Sequence, residues 1–205
     1  MVDDEPKLDP TRVGYWVEDA GKLKQAADLC WAAKENIRQN TDNARLFGLE
    51  KSLIDAADDA EAELNWLYPN LVAFAIQHLA IGILLSRDPR QIIDQGPQFP
   101  IIKIIESCGA SIGSDIKEII NEVENSFKWN EKIPRWSVRL SAEQIQTLKR
   151  HKSTIDAINS RQKDAFEALY AELKEMALKE LEVTKAREAL HDRAVAERRD
   201  EHSPV

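Results

Sequence analysis

Glycine and cysteine are scarce in this chain and a net positive charge is lacking, and each of these absences excludes a class of protein. The 7 glycines form no glycine-rich loop of the P-loop or Rossmann kind, which cradles phosphates. Two cysteines, Cys30 and Cys108, are too few for a disulfide framework, so we expect both to be small core residues in the reducing cytoplasm. The net charge of −8 disfavours a nucleic-acid-binding protein, since phosphate contacts need a basic field.

Long hydrophobic runs are also lacking. The longest apolar stretch covers residues 71–85 and contains Gln77 and His78, whereas a membrane-spanning helix needs about 20 apolar residues. The first ten residues are acidic rather than basic and apolar, which disfavours a secretory signal. We therefore expect a cytoplasmic protein without membrane contact, in which residues 71–85 form a buried core helix.

Alanine, leucine, isoleucine, glutamate and lysine dominate the sequence, and these residues favour helices. The fold class predicted is all-α, a helical bundle with a long C-terminal helix or helical arm. We divide the chain into a flexible N-terminus (1–10), the bundle (11–140) and the arm (141–200). The arm can be one helix, part of a coiled coil, or a hairpin.

Apolar residues recur at steps of three and four and predict the individual helices. The first begins at Asp9-Pro10, a cap followed by a first-turn proline. We expect breaks at residues 40–43, at Tyr68-Pro69 and at Asp88-Pro89. A short helix follows at residues 101–108, and another is capped by Ser114 or Asp115.

The C-terminal run from Ser141 to about Arg199 contains neither glycine nor proline. As one helix it would be roughly 85–90 Å long, far longer than the bundle is wide, so it projects, pairs with another chain, or folds back at a turn such as Asn159-Ser160. Its apolar side chains follow a heptad-like seam. We predict that the seam binds a partner through Phe166, Leu169, Leu173 and Met176.

Trp129 and Trp136 bracket an irregular, proline-containing segment. Tryptophan after a bundle usually closes the end of the core, but it also serves as a hot spot for partners. Both alternatives stay open, and the two residues join the predicted partner-binding set.

Residues that could carry chemistry are few. His78 lies on the predicted core helix without a cluster of other metal ligands at suitable spacing, so a hydrogen-bonded core histidine is the simpler interpretation. Asp55, Asp58 and Asp59 share one side of a helix, yet a di-iron-type site also needs a Glu-x-x-His motif on a facing helix. We therefore expect a hydrated acidic face, and predict no metal and no cofactor.

Three segments resemble bacterial HEPN-type helical proteins. Residues 73–85 (AFAIQHLAIGILL) are similar to the central helix of that family, and residues 101–108 (IIKIIESC) to its following short helix. Residues 129–136 (WNEKIPRW) resemble a Trp-x-Gly-Arg-Tyr-Pro-x-Pro signature, with Trp129 and Pro134 matching. The resemblance implies a helical bundle that often dimerises. It also implies either an RNA-cleaving toxin or defence effector, or an inactive partner of one.

Nuclease members of that family carry an arginine followed by a histidine after four to six residues, a pair suited to acid–base cleavage of RNA. No histidine here has an arginine at that spacing, so no catalytic residue is predicted. The leading hypothesis is a non-catalytic interaction and assembly protein. It would be a homo-oligomer, such as a dimer, or would bind a helical protein partner, in a bacterial defence or toxin–antitoxin system.

The alternative hypothesis is a HEPN-type ribonuclease with an atypical active site. Such a site would combine His78 or His151 with Arg135 or Arg139. A small-ligand pocket inside the bundle is a third alternative, for which no group of polar residues stands out.

Overall fold

The helices of the protein were located in a computed structural model that describes residues 10–48, 50–88, 100–128 and 159–201. Within these ranges the chain forms helices and no strand, which confirms the predicted all-α bundle with a long C-terminal helix. The helices are α1 (Pro10–Leu46), α2 (Lys51–Arg87), α3 (Ile101–Ser107), α4 (Ser114–Lys128) and α5 (Ser160–Glu201).

Helices α1 and α2 form an antiparallel hairpin, the largest helix–helix contact among the described residues. Near the base of the hairpin, Gly82 brings the two backbones close together, because a Cβ atom at this position would lie 3.1 Å from Cβ of Trp16. Near its tip, Nη2 of Arg45 donates to both carboxylate oxygens of Asp58, at 2.8 and 2.7 Å. Gly48, with φ of +66°, provides the left-handed conformation of the connecting turn.

Two predicted breaks in these helices are wrong. Helix α1 continues through residues 40–43 to Leu46, and the hydroxyl of Thr41 donates to the carbonyl oxygen of Ile37, inside the helix. Helix α2 likewise passes through Pro69 without ending. A proline inside a helix removes a single backbone hydrogen bond, and here the surrounding residues 68–70 are buried, so packing retains the helix.

The C-terminal half of α2 is the centre of the bundle, as predicted from its apolar sequence, since residues 75–84 are all buried. It ends at Arg87, where the N–H of Asp88 donates to the carbonyl oxygen of Leu84 at 2.8 Å. Helices α3 and α4 pack near this end: Nη1 of Arg87 donates to the carbonyl oxygen of Cys108, and the Cys108 thiol to that of Ala80.

Helix α5 begins at Ser160, at the position where the sequence offers a turn, and the residues before Asn159 lie outside the described ranges. Oδ1 of Asn159 accepts from the N–H of Gln162, and Oε1 of Gln162 accepts from the N–H of Asn159, both at 3.0 Å. This reciprocal pair is a capping box, which satisfies backbone donors that a helix start leaves unpaired. The predicted cap at Ser141 and the predicted boundary between residues 140 and 141 lie outside the described residues.

By length and composition α2 could cross a membrane. However, 83% of its most apolar stretch of 18 residues is buried inside the protein. Helices α1 and α5 both pack against α2, an arrangement typical of a core helix.

Candidate functional site

A buried histidine–aspartate pair joins the two helices of the hairpin. Nδ1 of His78, on α2, lies 3.0 Å from Oδ2 of Asp19, on α1. Neither atom makes a hydrogen bond of acceptable geometry. The Trp16 ring packs edge-on against the imidazole, with centroids 5.0 Å apart. A carboxylate oxygen and an unprotonated ring nitrogen are both acceptors, so a proton must sit on one of them at this separation.

Burial lowers the pKa of His78, and the neighbouring Asp19 charge opposes that shift without reversing it. The imidazole therefore stays neutral at a pH at which an exposed histidine begins to be protonated. His78 is only 3% exposed, so a phosphate group in solution cannot reach it. The pair lies between the two helices of the hairpin, and it cannot act as an acid or base on an RNA strand without rearrangement.

A second polar cluster fixes the start of α5 against the hairpin. Nζ of Lys24, on α1, contacts Oε2 of Glu167 at 2.7 Å and Oδ1 of Asp28 at 2.6 Å. The Tyr68 hydroxyl, on α2, reaches the other oxygen of Glu167 at 3.5 Å. Burial raises the pKa of Tyr68, and the charge of Glu167 raises it further. Glu167 therefore meets both helices of the hairpin.

The charges in this cluster stabilise each other despite partial burial. Burial works against the charged form of Lys24, but Asp28 and Glu167 outweigh it and raise its pKa. Burial likewise disfavours the charged form of Glu167, and contacts with Lys24 and Lys163 outweigh it and lower its pKa. A partly buried ion pair with additional hydrogen bonds is costly to break from one side.

One turn after the core contacts of α5, a third polar contact fixes the helix to the end of α2. Nε of Arg87 donates to Oε1 of Glu180 at 2.7 Å, and the Ser86 hydroxyl lies 3.4 Å from Oε2. Glu167 and Glu180 thus fix the docked part of α5 at two points, 13 residues apart. Since Tyr68 precedes Arg87 on α2, the two helices run in the same direction.

The predicted partner-binding residues of α5 lie mainly inside the protein. Phe166, Leu169 and Leu173 are 0%, 5% and 0% exposed and belong to the core, and Met176 is partly buried against it. This corrects the premise that the bundle is too short to cover the seam, because α5 packs along the hairpin and its buried residues continue to Thr184. Trp129 and Trp136 lie outside the described residues.

Beyond Ala177 the cover of α5 becomes incomplete: Leu181 is partly buried, and Thr184 is the last buried residue described. We call residues 178–201 the distal segment; its exposed large apolar side chains are Leu178, Val183, Leu190 and Val195, between 37% and 65% exposed. Val183 and Leu190 are seven residues apart and so face the same way to within about 20°. From residue 185 to residue 195 no side chain is buried.

The other end of the protein carries a second exposed apolar group. We call Leu46, Phe47 and Leu53, which surround the α1–α2 turn, the hairpin tip; they are 82%, 82% and 61% exposed. Between residues 42 and 67 no described residue is buried, so this part of the hairpin extends past the bundle.

The acidic face predicted on α2 lies on this hairpin, with Asp55, Asp58 and Asp59 all exposed. Asp58 is engaged by Arg45. Among the described residues no group of three histidine, cysteine, aspartate or glutamate side chains is arranged to hold a metal ion.

Sequence reasoning missed Asp19, Lys24 and Glu167. Each joins a partner from another helix, and nothing in local spacing indicates such a partner. The available signal was their position: Asp19 precedes Ala20 on the apolar side of α1, and Glu167 follows Phe166 on that of α5. A charged residue within a core-facing stretch predicts an ion-pair partner, because unpaired charges are costly to bury.

Comparisons of the chain with protein-family models, with curated proteins and with solved structures find no match.

Proposed function

We propose that the protein is a non-catalytic helical interaction protein that assembles with further copies of itself through the distal segment of α5. The observation that carries the proposal is the pair Val183 and Leu190, which are 43% and 65% exposed on one face of a projecting helix. Large apolar side chains in a heptad relationship are typical of helices that pair with another helix.

The charges of the distal segment are compatible with pairing between helices. Acidic and basic side chains alternate along it, and a helical partner can meet such a surface without strong repulsion. The covered half of α5 plays a different part, since Phe166 and Leu173 anchor the helix to its own bundle.

The affiliation with HEPN-like proteins, a place in bacterial defence or toxin–antitoxin systems, and a cytoplasmic location are parts of the same proposal. They rest on the sequence resemblance and composition alone. The competing ribonuclease loses support at His78, which is buried and paired with Asp19. His151, Arg135 and Arg139 lie outside the described residues.

The proposal is tested by light scattering coupled to size exclusion across a dilution series. We expect the wild-type protein to form a dimer or larger particle, and the double variant Val183→Asp/Leu190→Asp to shift towards the monomer. Leu29→Asp is the matched control, because Leu29 on α1 is as exposed as Leu190, at 65%, but lies on the bundle itself. A wild-type protein that stays monomeric throughout contradicts the proposal, as does a double variant that assembles like the control.

A further inference from the structure

Arg87, the last residue of α2, joins three helices through one guanidinium group. Its Nη1 donates to the carbonyl oxygen of Cys108, directly after α3, at 2.9 Å, and its Nε donates to Oε1 of Glu180 on α5 at 2.7 Å. The guanidinium is planar and holds its donors at fixed angles. Both bonds therefore depend on one orientation of the Arg87 side chain, which is 40% exposed and turns to solvent when its partners are removed.

The bond to Cys108 closes the C-terminal end of α3. A helix leaves its last carbonyl groups without partners inside the helix, and a cation near that end also interacts favourably with the helix dipole. Gly109, with φ of +89°, turns the chain away directly after Cys108. Arg87 thus provides a donor that α3 itself cannot provide.

Helix α3 is only seven residues long, so its closure against the bundle depends on other helices. Its inner face is apolar and buried, and consists of Ile101, Ile104, Ile105 and Cys108. At the N-terminal end, the N–H of Ile101 donates to Oε1 of Glu124 on α4. At the C-terminal end, Arg87 and the bond between the Cys108 thiol and Ala80 connect α3 to α2. Only this second end is linked to α5, through Glu180.

Glu180 lies in the first turn of the distal segment. The Ser86 hydroxyl lies 3.4 Å from its Oε2 and supports the same contact with the end of α2. Thr184, one turn later, is the last buried residue described in α5, whereas the core residue Leu173 lies seven positions earlier. A movement of the distal segment therefore acts on the contact between Glu180 and Arg87 before it reaches Leu173.

We propose that Arg87 couples the position of α5 to the closure of α3 against α2. While Glu180 holds the guanidinium, Arg87 caps α3. When α5 shifts and withdraws Glu180, the guanidinium turns to solvent and α3 opens more often. The inference goes beyond assembly, since it concerns a single copy of the protein: any partner that displaces the start of the distal segment exposes the inner face of α3.

Hydrogen–deuterium exchange of α3 tests the coupling, because the amides of Cys108 and Gly109 donate to carbonyl oxygens within α3 and exchange when it opens. Glu180→Ala removes the acceptor on α5. We expect exchange in residues 104–109 to become about tenfold faster, the effect of losing one charged hydrogen bond. Glu175→Ala is the matched control: Glu175 forms an exposed pair with Lys179 on the same helix, and its variant should exchange like the wild type.

Arg87→Lys separates the geometry of the guanidinium from its charge. Lysine retains the positive charge but lacks the rigid arrangement of donors that reaches two acceptors, so we expect faster exchange in α3 here as well. Wild-type exchange in α3 of either Glu180→Ala or Arg87→Lys would overturn the inference. Equal acceleration in α3 and in residues 72–84 of α2 would overturn it too, because it would indicate a general loss of stability instead of coupling.

Discussion

The two halves of α5 have similar sequences and opposite surroundings. Residues 160–177 place Phe166 and Leu173 at 0% exposure, whereas residues 178–195 leave Val183 and Leu190 exposed. The difference follows the end of α2: its last residue, Arg87, binds Glu180, and Thr184, one turn later, is the last buried residue described in α5. A continuous apolar seam therefore does not identify an interface by itself, because the length of the neighbouring helix decides which part is core.

The largest expected effect is a difference in the free energy of unfolding between variants in the two halves of α5. Leu173→Ala removes a fully buried side chain and leaves a cavity, so we expect the free energy of unfolding to fall by about 2–5 kcal/mol. Leu190→Ala, the same change in the distal segment, should stay within about 0.5 kcal/mol. Chemical denaturation measured on dilute protein gives both values. Equal losses would show that the distal segment is also packed within one copy.

A smaller effect concerns the charges along α5. Glu167→Gln retains the shape but removes the charge that Lys24 and Lys163 contact, and we expect a loss of about 1–2 kcal/mol. Glu175→Gln is the matched control, since Glu175 forms an exposed pair with Lys179 on the same helix and its loss should not be measurable. If the two variants behave alike, the cluster at Lys24 contributes nothing to docking.

The smallest effect concerns the buried histidine of the hairpin. Burial holds the pKa of His78 below 6.5 in the folded state, so the unfolded chain binds more protons once the pH falls below that value. Stability is therefore complete above pH 6.5 and decreases towards the folded pKa, by up to about 1.4 kcal/mol per pH unit.

His78→Gln should remove this loss of stability at low pH. The measurement is the free energy of unfolding as a function of pH. An identical slope in wild type and His78→Gln would mean that His78 does not sense pH.

Local signals predicted much of the fold. Pro10 marks the start of α1, Asp88 follows the end of α2, and the Asn159-x-x-Gln162 capping box begins α5 at a turn that the sequence offered. The buried faces of α3 and α4 followed from periodicity, as Ile104 and Ile120 illustrate. Such features depend on neighbours in sequence, so they can be read from sequence.

Features that depend on distant residues could not be predicted. Pro69 reads locally as a break, yet burial of the surrounding residues keeps α2 continuous. The pairs Asp19–His78 and Lys24–Glu167 join residues that are far apart in the chain and meet only because the helices pack. The same packing buries the apolar side chains between Phe166 and Ala177. Periodicity alone could not show whether these side chains are buried or exposed.

Because of this packing, Cys108 can report when α3 separates from α2. Its thiol is buried beneath α2 and donates to the Ala80 carbonyl oxygen, and burial raises its pKa to about 12. Thiolate is the reactive form of cysteine, so alkylating reagents must wait until α3 lifts away from α2. The rate of alkylation at Cys108 therefore measures how often that end of the protein opens, without any added label.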